Sequence, residues 1–271
     1  ARIDDAVRRI LRMKFELGLF DDPYKFSNKE REQQQWNNPG NLKIEKWMAE
    51  KSIVLLKNQN QLLPLNKENL KGRTIAVIGP FIKGIRSNIG FWSYSWPDDS
   101  ARIISPYEGI KSKAGNDINI IYAKGCNVKD SSLAGFSEAI GAAKKADIVI
   151  MDIGEAPDWS GEAKSRSNIH LPEMQEELVK AIAQTGKPVI VMISAGRPLI
   201  FNWIADNVPS ILYTWWLGTE AGGAMADILF GDYNPSGKLP MSFPRAEGQI
   251  PIYYNNLNTG RPPKSDSDLN Y

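Results

Sequence analysis

The chain has 271 residues, of which 42% are hydrophobic, and its 33 basic side chains nearly balance its 31 acidic ones. This composition predicts one sizeable globular core, and the balanced charge argues against nucleic acid or an anionic membrane as a partner. The single cysteine, Cys126, excludes an intramolecular disulfide and a cysteine-based zinc site, and no apolar run approaches the roughly 20 residues that span a bilayer.

The first forty residues are predicted to be the end of a preceding domain. Apolar residues at helical spacing predict an amphipathic helix over residues 3–17, with Gly18 as the residue that follows its C-cap. Residues 21–40 are polar and turn-rich, which is typical of a linker between domains. The chain enters its first helix without the features of a signal peptide, so we expect it to continue beyond both ends in a longer protein.

The middle of the chain alternates strand and helix patterns. Helical spacing resumes over residues 41–57, and this helix is expected to cover the core. The runs rich in β-branched residues predict five buried strands, at residues 74–79, 118–122, 147–153, 188–194 and 210–215. The segments between them predict four helices, at residues 107–114, 132–146, 173–185 and 219–230. This alternation predicts an α/β fold, a doubly wound and mostly parallel sheet flanked by helices.

In such sheets ligands bind outside the carboxyl ends of the strands. The loop after the third predicted strand, residues 154–166, holds three carboxylates, two cations and an indole. A glycosidase needs one carboxylic acid to protonate the leaving oxygen, and Glu162 lies between small neighbours that let it extend from the scaffold. Trp159 offers a face on which a sugar can stack. Residue types alone leave open an exposed loop with solvated charges and Trp159 as its anchor.

Other aromatic residues and the one histidine are weaker candidates. The loop at residues 90–96 carries four aromatic rings, which can serve core or interdomain packing, and Trp92 is the best candidate among them for ligand contact. Trp215 and Trp216 are expected to form a buried pair at the sheet edge, with Thr219 capping the next helix. His170 is expected to be structural or a surface residue, and Cys126 a small buried one.

Several stretches of the chain resemble glycoside hydrolase family 3, close to its bacterial β-glucosidases. The resemblance extends from residue 3 to about residue 262, and the motif at Gly231–Pro240, which continues into Met241-Ser242-Phe243-Pro244, is its longest and most specific part. The other matching stretches are residues 53–58, 63–65, 75–80, 160–162 and 186–189.

The resemblance implies a domain order in which a (β/α)₈ barrel precedes an α/β sandwich. Residues 1–40 would then be the closing helix of a missing barrel plus a linker. Residues 41–262 would form the sandwich, and residues 263–271 would begin a linker to a following domain. The parent protein would be periplasmic or secreted.

The same resemblance implies how the chemistry is divided. The family's nucleophile is an aspartate of the barrel, and no part of this chain matches that motif, whereas the acid/base glutamate of a Ser-Gly-Glu loop corresponds to Glu162. The chain would thus be part of a retaining, exo-acting β-glucosidase, with Trp92, Trp159, Arg166 and Glu155 as candidate substrate-binding residues. Glu155 is expected to brace the loop or reach a sugar hydroxyl. No cofactor and no metal are predicted.

Two alternatives remain beside this interpretation. The same fold can serve as a non-catalytic carbohydrate-binding or scaffolding domain, and the parent enzyme can be a β-xylosidase or an N-acetylglucosaminidase. A flavodoxin-like nucleotide domain would share the sheet topology, but the glycines after the first predicted strand do not form a phosphate-binding fingerprint.

Overall fold

The computed structural model describes residues 1–36, 38–93, 103–129, 131–255, 257 and 260. These residues fall into two units, Ala1–Lys43 and the residues from Ile44 onward. Among the residues described, no helix combines the length and the apolar character needed to cross a bilayer.

The first unit contains two helices, α1 (Arg2–Glu16) and α2 (Lys29–Trp36). Helix α1 confirms the predicted amphipathic helix, and Gly18 follows its C-cap with a positive φ of 70°. Neither helix has a buried residue, and Ile3 and Phe15 are exposed. Helix α2 lies within the predicted linker at residues 21–40, where the turn-rich pattern did not indicate a helix, and its charged and amide side chains are good helix formers that need no core.

We expect the amide hydrogens of α1 to exchange faster than those of the strand at Ile148–Gly154 in a monomer of this chain. The helix has no buried residue, whereas residues 149–154 of the strand are all buried. Hydrogen exchange followed by mass spectrometry measures both peptides in one sample. Equal protection of the two segments in a monomer would contradict this expectation.

The predicted helix at residues 41–57 is two elements in the structure. Helix α3 (Pro39–Ser52) ends at Ser52, and strand β1 (Val54–Asn58) follows after one residue. The spacing of apolar residues in such a short stretch fits both structures, and pairing of β1 with a later strand decides between them. The predicted role of residues 41–57 in covering the core holds in part, because Ala49 and Ile53 belong to an apolar core cluster whereas Trp47 is 52% exposed.

The second unit is built on a six-stranded sheet. Its other strands are β2 (Thr74–Ile78), β3 (Asn119–Ala123), β4 (Ile148–Gly154), β5 (Val189–Ser194) and β6 (Ser210–Tyr213). The spatial order is β1-β6-β5-β4-β2-β3, and all pairs are parallel except β1 with β6. The five predicted strands are confirmed, and β1 adds an antiparallel edge that the sequence pattern did not indicate.

Helices cover both faces of the sheet. They are α4 (Lys67–Leu70), α5 (Pro106–Ala114), α6 (Phe136–Lys145), α7 (Glu173–Ala183), α8 (Asn202–Asn207) and α9 (Ala221–Phe230). One apolar cluster joins the sheet to α6, α7 and α8, and the other joins it to α4, α5 and α9. Alternate residues of β4, such as Met151 and Ile150, point into the two clusters. The predicted α/β sandwich is therefore confirmed.

Several boundaries differ from the prediction by one to four residues. Helix α6 begins at Phe136 rather than at residue 132, and β6 ends at Tyr213 because Trp215 has a φ of 58°, outside the strand region. Helix α9 begins at Ala221 with Glu220 at its N-cap position and without a side-chain capping hydrogen bond, so Thr219 does not cap it. The backbone N–H of Thr219 donates to the Glu45 carboxylate. Cys126 is buried, as expected.

Candidate functional site

The order of strands places a reversal of the winding direction at the carboxyl ends of β2 and β4. The chain winds from β2 outward to β3 and then returns to β4 on the other side of β2. Ligands of doubly wound sheets bind at such a reversal, outside the carboxyl ends of the strands. The loop at residues 154–166 leaves β4 at this position and contains a short 3₁₀ helix, Pro157–Trp159. We call residues 155–166 the carboxylate loop.

Glu155 opens the carboxylate loop and is fully buried, with 0% of its side chain exposed. Its Oε1 lies 3.0 Å from Nε of Arg197 and 3.4 Å from Nη1 of Arg166. Burial raises the pKa of Glu155 above its ordinary value, and the two guanidinium groups act in the opposite direction by favouring the carboxylate. These contacts support the expectation that Glu155 braces the loop.

Trp159 and Arg166 are in contact across the carboxylate loop. The Arg166 guanidinium carbon lies 4.0 Å from the centre of the Trp159 ring, which is a cation–π distance. Lys129 lies on the same indole at 5.7 Å and forms an ion pair of 2.6 Å with Asp158. The hydrogen bond from Lys129 holds the pKa of Asp158 below its ordinary value. Asp158 is therefore ionised at neutral pH and is unsuited to donate a proton.

Glu162 lies at the exposed tip of the carboxylate loop. Among the residues that the structure describes, none forms a hydrogen bond or an ion pair with its carboxylate. The preceding Gly161 packs against the loop at residues 90–96, which we call the aromatic loop, since a Cβ at Gly161 would lie 2.2 Å from the Phe91 ring. Only glycine fits this close approach, so Glu162 is held beside the aromatic loop with its carboxylate free to meet a ligand.

The aromatic loop brings Trp92 to the same place. Phe91 and Trp92 form an edge-to-face pair with ring centroids 5.4 Å apart, and Trp92 is 73% exposed. An exposed indole near a free carboxylate is a surface on which a sugar ring can pack. Tyr94 and Trp96, the other two aromatic residues of this loop, lie outside the described residues.

The structure adds two features that the sequence analysis missed. One is Arg197, which follows β5 and pairs with Glu155 although 42 residues separate them. The other is a buried polar cluster below the carboxylate loop, formed by Asn88, Asp152, Ser194 and Thr214. A weak signal for this cluster was present, since Asp152 and Ser194 are polar residues near the ends of otherwise apolar strands.

Hydrogen bonds connect the buried polar cluster. The Ser194 hydroxyl donates to Asp152 Oδ1 at 2.9 Å and lies 3.0 Å from the hydroxyl of Thr214. Asp152 is fully buried, and this burial raises its pKa to about 8 while the hydrogen bond from Ser194 opposes the shift. Asp152 is therefore largely neutral at pH 7, and a neutral carboxyl is the form that a buried site without a cation accommodates.

The remaining candidates are structural. Trp215 and Trp216 are half-buried rather than a fully buried pair, and Trp215 packs edge-to-face on Tyr213 at 4.7 Å. His170 is a surface residue, as expected, with its Nε2 3.2 Å from the Glu247 carboxylate.

Fold and site together define a class of protein: a doubly wound α/β domain whose loops beyond the carboxyl ends of the strands present an exposed tryptophan and a glutamate that is unpaired among the described residues. The family model described as the glycosyl hydrolase family 3 C-terminal domain matches residues 53–271. The chain therefore belongs to glycosyl hydrolase family 3.

Individual relatives agree with this assignment. The chain is 41% identical over 285 residues to a periplasmic β-glucosidase of Salmonella typhimurium, covering 97% of this chain and 36% of the relative. It is 45% identical over 258 residues to a β-xylosidase of Formosa agariphila, covering 93% and 35%. A crystal structure of a β-glucosidase from Listeria innocua in complex with isofagomine superposes with a TM-score of 0.83 at 36% identity, covering 98% of this chain and 36% of that one. The chain thus spans about a third of the length of these relatives.

Proposed function

We propose that this chain supplies the general acid/base of a retaining, exo-acting β-glucosidase, with Glu162 as the acid/base residue. The observation that carries the proposal is the exposed carboxylate of Glu162, unpaired among the described residues, on a loop whose other two carboxylates, Glu155 and Asp158, are ion-paired. In a family of glycoside hydrolases, a carboxylate left free at the ligand edge of the sheet is the group available for proton transfer.

The reaction needs a second carboxylate, about 5 to 5.5 Å from the first in retaining enzymes. In the first step that carboxylate attacks the anomeric carbon while Glu162 gives its proton to the departing oxygen, so the glycosidic bond breaks and a glycosyl-enzyme ester forms. In the second step Glu162 takes a proton from water, which attacks the anomeric carbon and releases the sugar. Glu162 ends each cycle protonated, as it began.

We place the nucleophile in a (β/α)₈ barrel that precedes this chain in the parent protein. Two observations support that placement. The chain spans 36% of the Salmonella relative, which leaves room for a second domain, and α1 carries apolar side chains such as Ile3 and Phe15 that stay exposed among the residues the structure describes. The barrel would cover this stripe and hold the attacking aspartate opposite Glu162. Residues 41–262 would be the sandwich domain and residues 263–271 the start of a linker.

Substrate contacts are proposed for Trp92 and Trp159, which present indole faces near Glu162, and for Arg166. Arg166 and Lys129 both lie over the Trp159 ring, so a sugar would contact the part of the indole that these two side chains leave uncovered. Glu155 is fully buried, which favours its bracing role over contact with a sugar hydroxyl. The Salmonella relative supports a periplasmic or secreted location for the parent protein.

A β-xylosidase is the second candidate, because the Formosa relative of that name is 45% identical to this chain. Initial rates on nitrophenyl β-glucoside and nitrophenyl β-xyloside, measured with the barrel present, distinguish the two. A non-catalytic carbohydrate-binding domain predicts no turnover of either substrate.

The purified 271-residue chain is expected to hydrolyse nitrophenyl β-glucoside at no meaningful rate, because acid/base catalysis alone contributes only about 10²- to 10⁴-fold. The same chain joined to its barrel should be active. The measurement is nitrophenolate release at matched protein concentrations. Sustained turnover by the chain alone, with contaminating glycosidases excluded by immunodepletion, would contradict the proposed division of the two carboxylates.

A further inference from the structure

Arg197 lies where strand β5 meets the carboxylate loop. It follows Gly196, at which a Cβ would lie 2.6 Å from the Trp216 ring and 2.9 Å from the Ser160 hydroxyl. The absence of a side chain at residue 196 therefore lets the turn after β5 pack directly against Ser160 of the loop. This close approach brings the Arg197 guanidinium to Glu155 and to the carbonyl of Trp159, which lie on either side of Pro157 in the carboxylate loop.

The guanidinium holds two separate points of the carboxylate loop. Nε lies 3.0 Å from Oε1 and 3.3 Å from Oε2 of Glu155, at the start of the loop. Nη2 donates to the backbone carbonyl of Trp159, at the end of the 3₁₀ helix. The backbone of Arg197 is itself anchored, because the hydroxyl of the buried Tyr213 donates to its carbonyl oxygen. The loop is thereby tied to β5 and β6 through one side chain.

Arg166, the last residue of the carboxylate loop, contacts Glu155 and Trp159 near its beginning. Its Nη1 lies 3.4 Å from Glu155, a longer contact than that of Arg197, and it stacks on Trp159. Glu162 lies inside the segment that these contacts close and has no described partner of its own. Its position therefore depends on the anchors of the loop rather than on its own bonds.

We propose that Arg197 is a positioning residue that holds Glu162 in place for proton transfer, through Glu155 and the Trp159 carbonyl. The inference rests on the acid/base role proposed for Glu162. The planar guanidinium can donate in two directions at fixed angles, whereas a lysine ammonium acts as a single point charge on a flexible stem. Lysine at this position should therefore keep the charge beside Glu155 and lose one of the two attachments.

The first test uses leaving-group dependence in the chain joined to its barrel. A misplaced acid slows the step that needs protonation, and a displacement of about 1 Å can reduce a rate by about 10²-fold. We expect Arg197→Met to lower kcat for a phenyl β-glucoside by about 10- to 100-fold, with little change for the glycosylation step of a dinitrophenyl glucoside. Arg197→Lys should fall between Arg197→Met and the unmodified enzyme. A purely structural role would reduce both substrates equally.

The second test measures the loop directly in the 271-residue chain. We expect Arg197→Met and Arg197→Lys to accelerate amide hydrogen exchange in residues 157–166 while exchange in β4 stays unchanged. The matched control is Arg73→Met, which removes another arginine–carboxylate pair. Nη1 of Arg73 lies 3.0 Å from Oδ1 of Asp147, at the amino ends of β2 and β4 and so away from the carboxylate loop. This control should leave exchange in the loop unchanged.

The two tests separate failure of this inference from failure of the acid/base assignment. Glu162→Gln is measured beside the Arg197 variants. If Glu162→Gln shows the leaving-group dependence and Arg197→Met does not, the positioning role of Arg197 is wrong. If Glu162→Gln lacks it too, Glu162 is not the acid, and the positioning role falls with it, while the exchange data still decide whether Arg197 tethers the loop. An Arg197→Lys variant equal to the unmodified enzyme in both tests would overturn the two-point attachment.

Discussion

Replacing Glu162 with glutamine in the chain joined to its barrel is expected to slow substrates with poor leaving groups by about 10²- to 10⁴-fold. Glutamine keeps the size of the side chain but has no proton to give. Dinitrophenyl glucosides need little protonation, so they should still form the glycosyl-enzyme, and its breakdown should become rate-limiting. Steady-state rates over a series of aryl glucosides, with the burst of released phenol, measure both effects.

Adding azide tests whether the variant lacks the base that activates water. It attacks the glycosyl-enzyme without help from a base, so it should restore turnover of the dinitrophenyl glucoside by Glu162→Gln and give a β-glycosyl azide if configuration is retained. Asp158→Asn is the matched control, because Asp158 lies in the same loop, is ion-paired to Lys129 and is held ionised. It should show neither the leaving-group dependence nor the rescue. Equal slowing of good and poor leaving groups by Glu162→Gln, without azide rescue, would place the acid/base elsewhere.

Replacing Asp152 with asparagine is expected to stabilise the chain at neutral and higher pH. In the folded chain the pKa of Asp152 is raised from 3.8 to about 8 by burial. In the unfolded chain the carboxyl is ionised above its ordinary pKa, so between these two values unfolding releases a proton. Stability from this group is therefore fully present below pH 3.8 and is lost as pH rises to about 8.

The size of this effect follows from the width of the pH window. Each unit of pKa difference corresponds to about 1.4 kcal/mol, so the advantage of asparagine should approach roughly 4 kcal/mol near pH 7. Asparagine can still accept the hydrogen bond from Ser194. Urea unfolding of both proteins from pH 5 to pH 8 gives the difference in their unfolding free energies. The other titrating groups are common to both proteins and cancel, so this difference should grow with pH through Asp152 alone.

Asp147, which directly precedes β4, provides a control of opposite sign. The backbone N–H of Thr74 and the Arg73 side chain lower the pKa of Asp147, so its carboxylate stabilises the folded chain above the ordinary pKa. Asp147→Asn should therefore destabilise the chain at neutral pH, and its disadvantage should shrink as pH falls. A stability difference for Asp152→Asn that does not change with pH would show that Asp152 is ionised when the protein is folded.

Much of the fold could be predicted from local patterns. The strands β2 to β6 are short apolar runs rich in β-branched residues, the segments between them repeat at helical spacing, and the alternation itself implies parallel pairing. Strand β1 was missed because an edge strand is defined by its partner, and the pairing of Val54 with Tyr213 spans most of the domain. The local spacing of its apolar residues fits a helix equally well.

The candidate site, like the fold, could be predicted from the sequence only in part. The sequence by itself determined which residues are candidates for the chemistry, because the carboxylates, cations and indole of the carboxylate loop are close together in the chain and follow a predicted strand. Only the tertiary structure decided which of them are free. Glu155 became a buried brace because Arg197 reaches it from another strand, and Asp152 acquired a raised pKa because the folded core removes water from it. Burial and charge pairing depend on neighbours that are distant in the chain, and no local pattern of residues records them.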